Sequence, residues 1–228
     1  MQKNSDIDLS PFGIIAAVSL NGVIGVNGNL PWNIPADRRI FEDITRDKIL
    51  IVGRRTLFED SSGNFDHISH CRRIYVVSRT LREDQIEYLN LTKSESLPSF
   101  HLASSVEEAL HRAQTININQ ISVDSAEDHE MNSPLSSIQC WIGGGEAIYT
   151  SALKLRQARF LHLTVVNTSI DIPIMAATKG NVAFFPDRFQ WVKNYKVVSK
   201  TDHPSCDPTP FTTLLYERIT TGEPEEVD

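Results

Sequence analysis

The chain has 228 residues, of which 40% are hydrophobic and 22% are charged. This balance allows a sizeable buried core, and the length allows one large domain or two small ones. The 29 acidic and 22 basic side chains give a net charge of −7, which would repel phosphate backbones and argues against a nucleic-acid-binding protein.

The N-terminal segment 1–11 begins with polar residues and lacks the basic start and apolar stretch of a signal peptide. No apolar run approaches the roughly 20 residues of a membrane-spanning helix. The three cysteines, Cys71, Cys140 and Cys206, form no CxxC pair, which argues against a disulfide framework and a metal site. We therefore expect no membrane partner and a reducing, cytoplasmic location.

Short apolar, β-branched runs recur along the chain, and segments with helical patterns lie between them. Their near-continuous hydrophobicity is typical of strands that are covered on both faces. This alternation predicts an α/β fold with a mainly parallel sheet flanked by helices. The predicted strands are residues 12–20, 49–53, 73–78, 138–143 and 160–166.

Three helices are predicted between these strands. The first spans residues 35–45, where Pro35 is tolerated in the first turn because its missing N–H costs nothing there. Ser105 and Glu108 have the spacing of a capping box that opens the second helix. The third begins near Gly145.

The C-terminal part predicts an antiparallel strand pair formed by residues 191–199 and 211–218. Three earlier stretches resist assignment, namely residues 80–100, 117–136 and 167–183. Each is long for a loop in a compact domain, so we interpret them as insertions or functional surface segments. The acidic end, residues 219–228, predicts a solvated tail.

The densest functional signal is residues 21–37, where a glycine-containing loop connects a strand to a helix with Asp37 in its first turn. Such a loop is a candidate gate over a site, but an ordinary connection with Asp37 at the positive helix end is equally compatible. Trp32, Ile40 and Phe41 would surround Asp37 with apolar surface, which raises a carboxyl pKa and suits proton transfer. A planar heterocycle with adjacent N–H donors would pair with this carboxylate.

Two further signals favour a phosphate-bearing ligand. The run Gly53-Arg54-Arg55-Thr56 follows a strand, and Arg79 follows another, so guanidinium groups would converge on an anion. Surface arginines are the alternative for each position alone. The three glycines 143–145 follow a third strand and allow close approach of a dinucleotide. GxGxxG is absent, however, and taken alone this run favours a simple tight turn.

The segments IIAAVSLNGVIGVNGNLPWNIPAD, ILIVGRRT, RRIYVVSR, WIGGGEAIY and LHLTVV occur in an order and spacing that closely resemble dihydrofolate reductase. The resemblance covers residues 12–218, and the LPW…PAD block is its most specific part. It implies a single α/β domain with a central mixed eight-stranded sheet and long loop insertions. It further implies reduction of 7,8-dihydrofolate to tetrahydrofolate with NADPH, and binding of antifolate inhibitors.

The resemblance also implies roles for particular residues. Asp37 would hold the pterin ring and promote its protonation, Trp32 would order a water, and Thr164 would hydrogen-bond the carboxylate. The implied catalytic residues are Asp37, Trp32, Leu30 and Thr164, and the implied substrate-binding residues are Ile15, Ala16, Asp37, Phe41, Arg72 and Thr164. The implied cofactor-binding residues are Ala17, Ile24, Gly25, Gly53, Arg54, Arg55, Thr56, Ser78, Arg79, Gly143, Gly144, Gly145, Glu146, Ala147, Ile148 and Tyr149.

The Gly144-Gly145 pair matches one that is cis in the family, whereas Arg38 departs from the apolar residue usual at its position. Three alternatives stay open: a reductase of the riboflavin pathway, a binding protein that has lost turnover, and the reductase portion of a chain that also carries thymidylate synthase. Outside that last case we expect a monomer.

Overall fold

A computed structural model of the chain describes residues 9–58, 65–118, 134–172, 182–205 and 209–220. The central feature is an eight-stranded sheet, which confirms the predicted mixed α/β architecture. Its strands are β1 (Phe12–Ser19), β3 (Ile49–Gly53), β4 (Arg73–Val77), β5 (Ser99–Ala103), β6 (Cys140–Gly144), β7 (Ala158–Val166), β9 (Tyr195–His203) and β10 (Phe211–Arg218).

The strand order is β5-β4-β3-β6-β1-β7-β10-β9. Neighbours from β5 to β7 pair in parallel, and β10 pairs antiparallel with both β7 and β9. A second, two-stranded sheet joins β2 (Val23–Val26) to β8 (Val182–Phe184). This small sheet was not predicted, because strands of three and four residues carry little pattern.

Six helices are described around the sheet. They are α1 (Pro35–Thr45), α2 (Arg54–Leu57), α3 (Glu83–Thr92), α4 (Val106–Ile118), α5 (Glu146–Ala152) and α6 (Arg188–Trp191). The predicted helix starts hold: Pro35 opens α1, and the Ser105 hydroxyl accepts the Glu108 N–H at 3.1 Å at the start of α4. None of the described helices is long and apolar enough to cross a membrane.

Two sequence predictions are wrong. Residues 80–100, left unassigned and interpreted as a loop insertion or a functional surface segment, are not a long loop, since they contain α3 and the start of the edge strand β5. The segment 191–194 is helical because the Asp187 carboxylate accepts the Phe189 N–H at 2.9 Å and starts a turn, so the closing strand begins at Tyr195. The described residues do not include Cys206, most of the predicted insertions 117–136 and 167–183, or most of the two termini.

The sheet separates two hydrophobic clusters, one on each face. At its centre the indole of Trp141 is fully buried against Gly13, where an added Cβ would lie 2.4 Å from the ring. The cluster that contains Trp141 also contains Ile15 and Phe160, and Phe41 of α1 packs against it. Burying this face fixes α1 over β1 and β7, and the functional cavity lies between them.

Candidate active site

A cavity of about 620 Å³ lies between α1, β1 and β7. This volume is in the range of small-molecule and cofactor sites. Apolar side chains form slightly more than half of its walls, and polar and charged side chains form the rest. The predicted site residues that line it are Ile15, Ala16, Ala17, Ile24, Leu30, Trp32, Asp37, Phe41, Thr56, Gly143, Gly145, Tyr149 and Thr164.

Asp37 is the carboxylate of this cavity. It lies in the first turn of α1, and its side chain is hydrogen-bonded to that of Thr164 on β7. Burial raises the pKa of Asp37 above its usual value, while the Thr164 bond and the nearby His203 act in the opposite direction. A carboxyl group with a raised pKa is better suited to proton transfer than an exposed aspartate.

Among the described residues, two side chains that line the cavity have a buried ring nitrogen without a hydrogen-bond partner. These nitrogens are Nε1 of Trp32 and Nδ1 of His162. The His162 side chain is only 8% exposed, and burial lowers its pKa to about 4, so the imidazole is neutral at physiological pH. The cavity therefore offers a ligand or a water an unused indole donor and a neutral histidine.

Tyr149 ties the floor of the cavity to the glycine-rich turn. Its hydroxyl donates to the Ile15 carbonyl at 2.8 Å. The Gly144-Gly145 peptide is cis, as the resemblance implies, and Gly144 has a φ of 105°. A Cβ at Gly144 would come within 2.8 Å of the Tyr149 ring, so only glycine fits between β6 and α5.

The predicted phosphate-binding residues lie at the ends of β3 and β4, which are neighbours in the sheet. Arg54, Arg55 and Arg79 are all exposed there. Thr56 reaches the cavity, and its hydroxyl lies 3.5 Å from the position of a Cβ on Gly145. The structure thus brings the arginine turn and the glycine turn to one edge of the cavity.

The other predicted residues do not line the cavity. The Ser78 hydroxyl accepts the N–H groups of Thr80 and Leu81, and the Glu146 carboxylate accepts the Phe184 N–H at 3.1 Å, so both also hold local structure. Arg72 is exposed. The pKa of Lys48 is lowered mainly by burial of Lys48 and further by the positive charge of Arg72. Outside the lining set are Gly25, Gly53, Arg54, Arg55, Arg72, Ser78, Arg79, Gly144, Glu146, Ala147 and Ile148.

Sequence reasoning missed His67 and His162, which line the cavity. His162 precedes Thr164 by two residues on β7, so strand alternation could have found it. His67 is carried by a short 3₁₀ turn, Asp66–Ile68, and has no such signal. Arg38 is exposed and lines the cavity. The rim of the cavity is therefore more polar than it would be with the apolar residue that is usual at this position.

The model of the dihydrofolate reductase family matches residues 11–218. The chain belongs to the dihydrofolate reductase family. This confirms the predicted oxidoreductase of folate metabolism, and the family's reaction is the reduction of dihydrofolate to tetrahydrofolate. Family membership and the observed fold agree, because the matched segment contains every strand of the central sheet.

Known dihydrofolate reductases align with most of the chain. This chain is 26% identical over 195 residues to the dihydrofolate reductase of Aedes albopictus, and the alignment covers 82% of this chain and 86% of that protein. It is 29% identical over 192 residues to dihydrofolate reductase type 15 of Escherichia coli, covering 83% and 92%.

The bifunctional dihydrofolate reductase-thymidylate synthase 2 of Arabidopsis thaliana is 24% identical over 197 residues, which are 82% of this chain and 29% of that protein. Shorter matches to other dihydrofolate reductases also span less than a third of their lengths.

Proposed function

We propose that residues 12–218 form a reductase domain that converts 7,8-dihydrofolate to 5,6,7,8-tetrahydrofolate with NADPH. The observation that carries this proposal is the Asp37 carboxylate, partly desolvated in a cavity of about 620 Å³ and hydrogen-bonded to Thr164. Residues 1–11 and 219–228 would be an extension and a tail. The free, buried thiols of Cys71 and Cys140 support a reducing, cytoplasmic location.

The substrate ring would bind between α1 and the β1–β7 floor. Asp37 would accept hydrogen bonds from adjacent N–H donors of the pterin, which suits a carboxylate with two acceptor oxygens. Ile15, Ala16 and Phe41 supply apolar surface around the ring. Arg72, which is exposed, would pair with the carboxylate of the glutamate tail.

The residues present fit NADPH. Gly143 and Gly145 of the glycine turn line the cavity together with Thr56, and exposed arginines lie at the neighbouring strand ends. Gly53, Arg54, Arg55, Thr56, Ser78 and Arg79 would hold its phosphates, while Ala17, Ile24, Gly25 and the segment 143–149 would enclose the remainder. Bound NADPH would supply the hydride that reduces carbon 6 of the pterin.

Asp37 would promote protonation at nitrogen 5 of the pterin. Because burial raises its pKa, the carboxyl group is closer to its protonated form near neutral pH than an exposed aspartate is. Trp32, whose Nε1 is a buried donor without a partner among the described residues, would order a water beside it. Leu30, 50% exposed on the loop before α1, would cover the ring when the loop closes.

The test is Asp37→Asn, with Asp43→Asn as the matched control because Asp43 is an exposed carboxylate on the same helix. We expect Asp37→Asn to bind NADPH normally and to lose about 100-fold or more of kcat at pH 7, since proton transfer contributes about that much. The control should keep wild-type turnover.

Near-normal turnover in Asp37→Asn would overturn the assigned role. Saturable binding of dihydrofolate without NADPH oxidation by the wild type would indicate a binding protein. Failure to bind dihydrofolate would instead favour the pyrimidine reductase of the riboflavin pathway.

A further inference from the structure

The β9–β10 strand pair carries a histidine that the proposed reaction does not use. His203 is the last residue of β9 and is half-buried. Its ring stacks on Phe211 across the pair, with 4.3 Å between ring centroids and an interplanar angle of 16°. Its Nε2 lies 3.4 Å from the Thr213 hydroxyl on β10. These two contacts fix the orientation of the imidazole.

Two buried threonines lie between His203 and the cavity. Thr213 is directly opposite Thr164 in the β7–β10 register, and their exposures are 9% and 2%. Side chains at opposite positions of an antiparallel pair are close neighbours on one face. Thr164 in turn is hydrogen-bonded to Asp37. The four side chains therefore run from α1 across β7 and β10 to β9 through a region of low exposure.

We propose that His203 is a positioning residue that acts on the Asp37 carboxylate from the β9–β10 pair by its charge, across the buried Thr213 and Thr164. Its effect on turnover rests on the proposed function, whereas its effect on Asp37 does not. A protonated imidazole favours the ionised carboxylate, so His203 lowers the pKa of Asp37 and opposes the larger effect of burial. The balance of the two sets the pH at which Asp37 gains its proton.

The charged groups around this path are few within the described residues. Asp202 precedes His203 on β9, interacts electrostatically with it, and is itself held by the Thr212 hydroxyl at 2.7 Å and by Lys200 at 3.3 Å. From β10 the facing side chains are Phe211 and Thr213, which are uncharged.

On the other side of the path, Asp37 shares its cavity with three basic side chains, namely Arg38, His67 and His162. His162 is uncharged above about pH 4 because burial lowers its pKa to that value. The test must therefore change His203 while these groups stay in place.

The experiment follows the ¹³C carboxyl resonance of Asp37 against pH in the ligand-free chain labelled with ¹³C-aspartate, assigned with Asp37→Asn. In His203→Gln and His203→Phe we expect the titration midpoint of Asp37 to rise by about half a pH unit, as the loss of one nearby charge in a solvated setting produces. Glutamine retains a hydrogen-bonding group and phenylalanine retains the ring stack. His203→Lys keeps a positive charge and should restore the lower midpoint.

The matched control is His101→Gln, since His101 is a half-buried histidine on β5, at the opposite edge of the sheet. An unchanged Asp37 midpoint in both His203 variants, or an equal shift in the control, would overturn the proposal. A shift that His203→Lys fails to reverse would show a structural role and would also overturn it.

The acid limb of kcat/KM against pH should move with the resonance. A resonance shift in a chain without turnover would support the action of His203 while contradicting the proposed function. Turnover without a resonance shift would support the proposed function and contradict the action of His203 on Asp37.

Discussion

Burial and hydrogen bonding act in opposite directions on the pKa of Asp37. At Asp37 burial is the larger effect and raises the pKa, so the folded chain binds this proton more tightly than the unfolded chain does. Ionising Asp37 therefore costs stability above its folded pKa, and the cost disappears as the pH falls toward the ordinary aspartate value. The functional carboxylate is held at the expense of stability, a common compromise at active sites.

The pKa of His162 is shifted in the opposite direction, so acid destabilises the fold at this residue. Its pKa falls from about 6.5 in the unfolded chain to about 4 in the fold, so the folded state resists protonation. The stability that its neutral form contributes is complete above pH 6.5 and is lost as the pH falls toward 4. By pH 5 the loss is about 2 kcal/mol.

The free energy of unfolding decreases between pH 7 and pH 5, and we expect this decrease to be about 2 kcal/mol smaller in His162→Phe than in the wild type. Urea denaturation at both pH values measures this difference. His111→Gln, which removes an exposed histidine on α4, should behave as the wild type. Equal pH dependence in His162→Phe and the wild type would show that His162 is not held neutral.

The arginines at the strand ends predict cofactor preference. If Arg54 and Arg79 contact the phosphate that distinguishes NADPH from NADH, the double variant Arg54→Gln/Arg79→Gln should raise KM for NADPH about tenfold or more and leave KM for NADH nearly unchanged. Arg39→Gln, an exposed arginine on α1, is the control. Equal losses for both cofactors would place these arginines away from that phosphate.

At the scale of elements, the β5 edge depends on α3. The Asn90 amide on α3 makes two hydrogen bonds to the backbone of Phe100, accepting its N–H at 2.9 Å and donating to its carbonyl at 2.8 Å. These bonds satisfy backbone groups on the free edge of the strand and cover it, which protects the sheet from pairing with another chain.

Asn90→Ala should destabilise the fold by about 1–3 kcal/mol, because Phe100 is buried and its backbone groups lose their partner. Hydrogen exchange of the β5 amides should accelerate more than that of β1. Glu87→Ala, on the exposed face of the same helix, is the control. Unaltered protection of β5 in Asn90→Ala would contradict this role of the amide.

For the whole molecule, the sequence predicts the parallel core well because those strands are covered on both faces and read as continuous apolar runs. It misses α3, where Tyr88 and Leu91 are 69% and 84% exposed and obscure the helical pattern. It also misses the pairing of β2 with β8, which depends on contacts between distant segments.

The same distinction holds at the candidate site. Asp37, Trp32 and the glycine turn carry local motifs, and the sequence identifies them. His162 and His203 acquire their positions only when β7, β9 and β10 assemble. No local pattern places His203 near Asp37, because the path between them crosses three strands.

The central claim is that this cavity binds dihydrofolate beside NADPH and reduces it. The most direct measurement follows NADPH oxidation at 340 nm with dihydrofolate, with and without methotrexate, and with NADH and buffer alone as controls. The account predicts turnover that requires dihydrofolate, prefers NADPH and is abolished by methotrexate. Tight binding of both ligands without any oxidation of NADPH would contradict it.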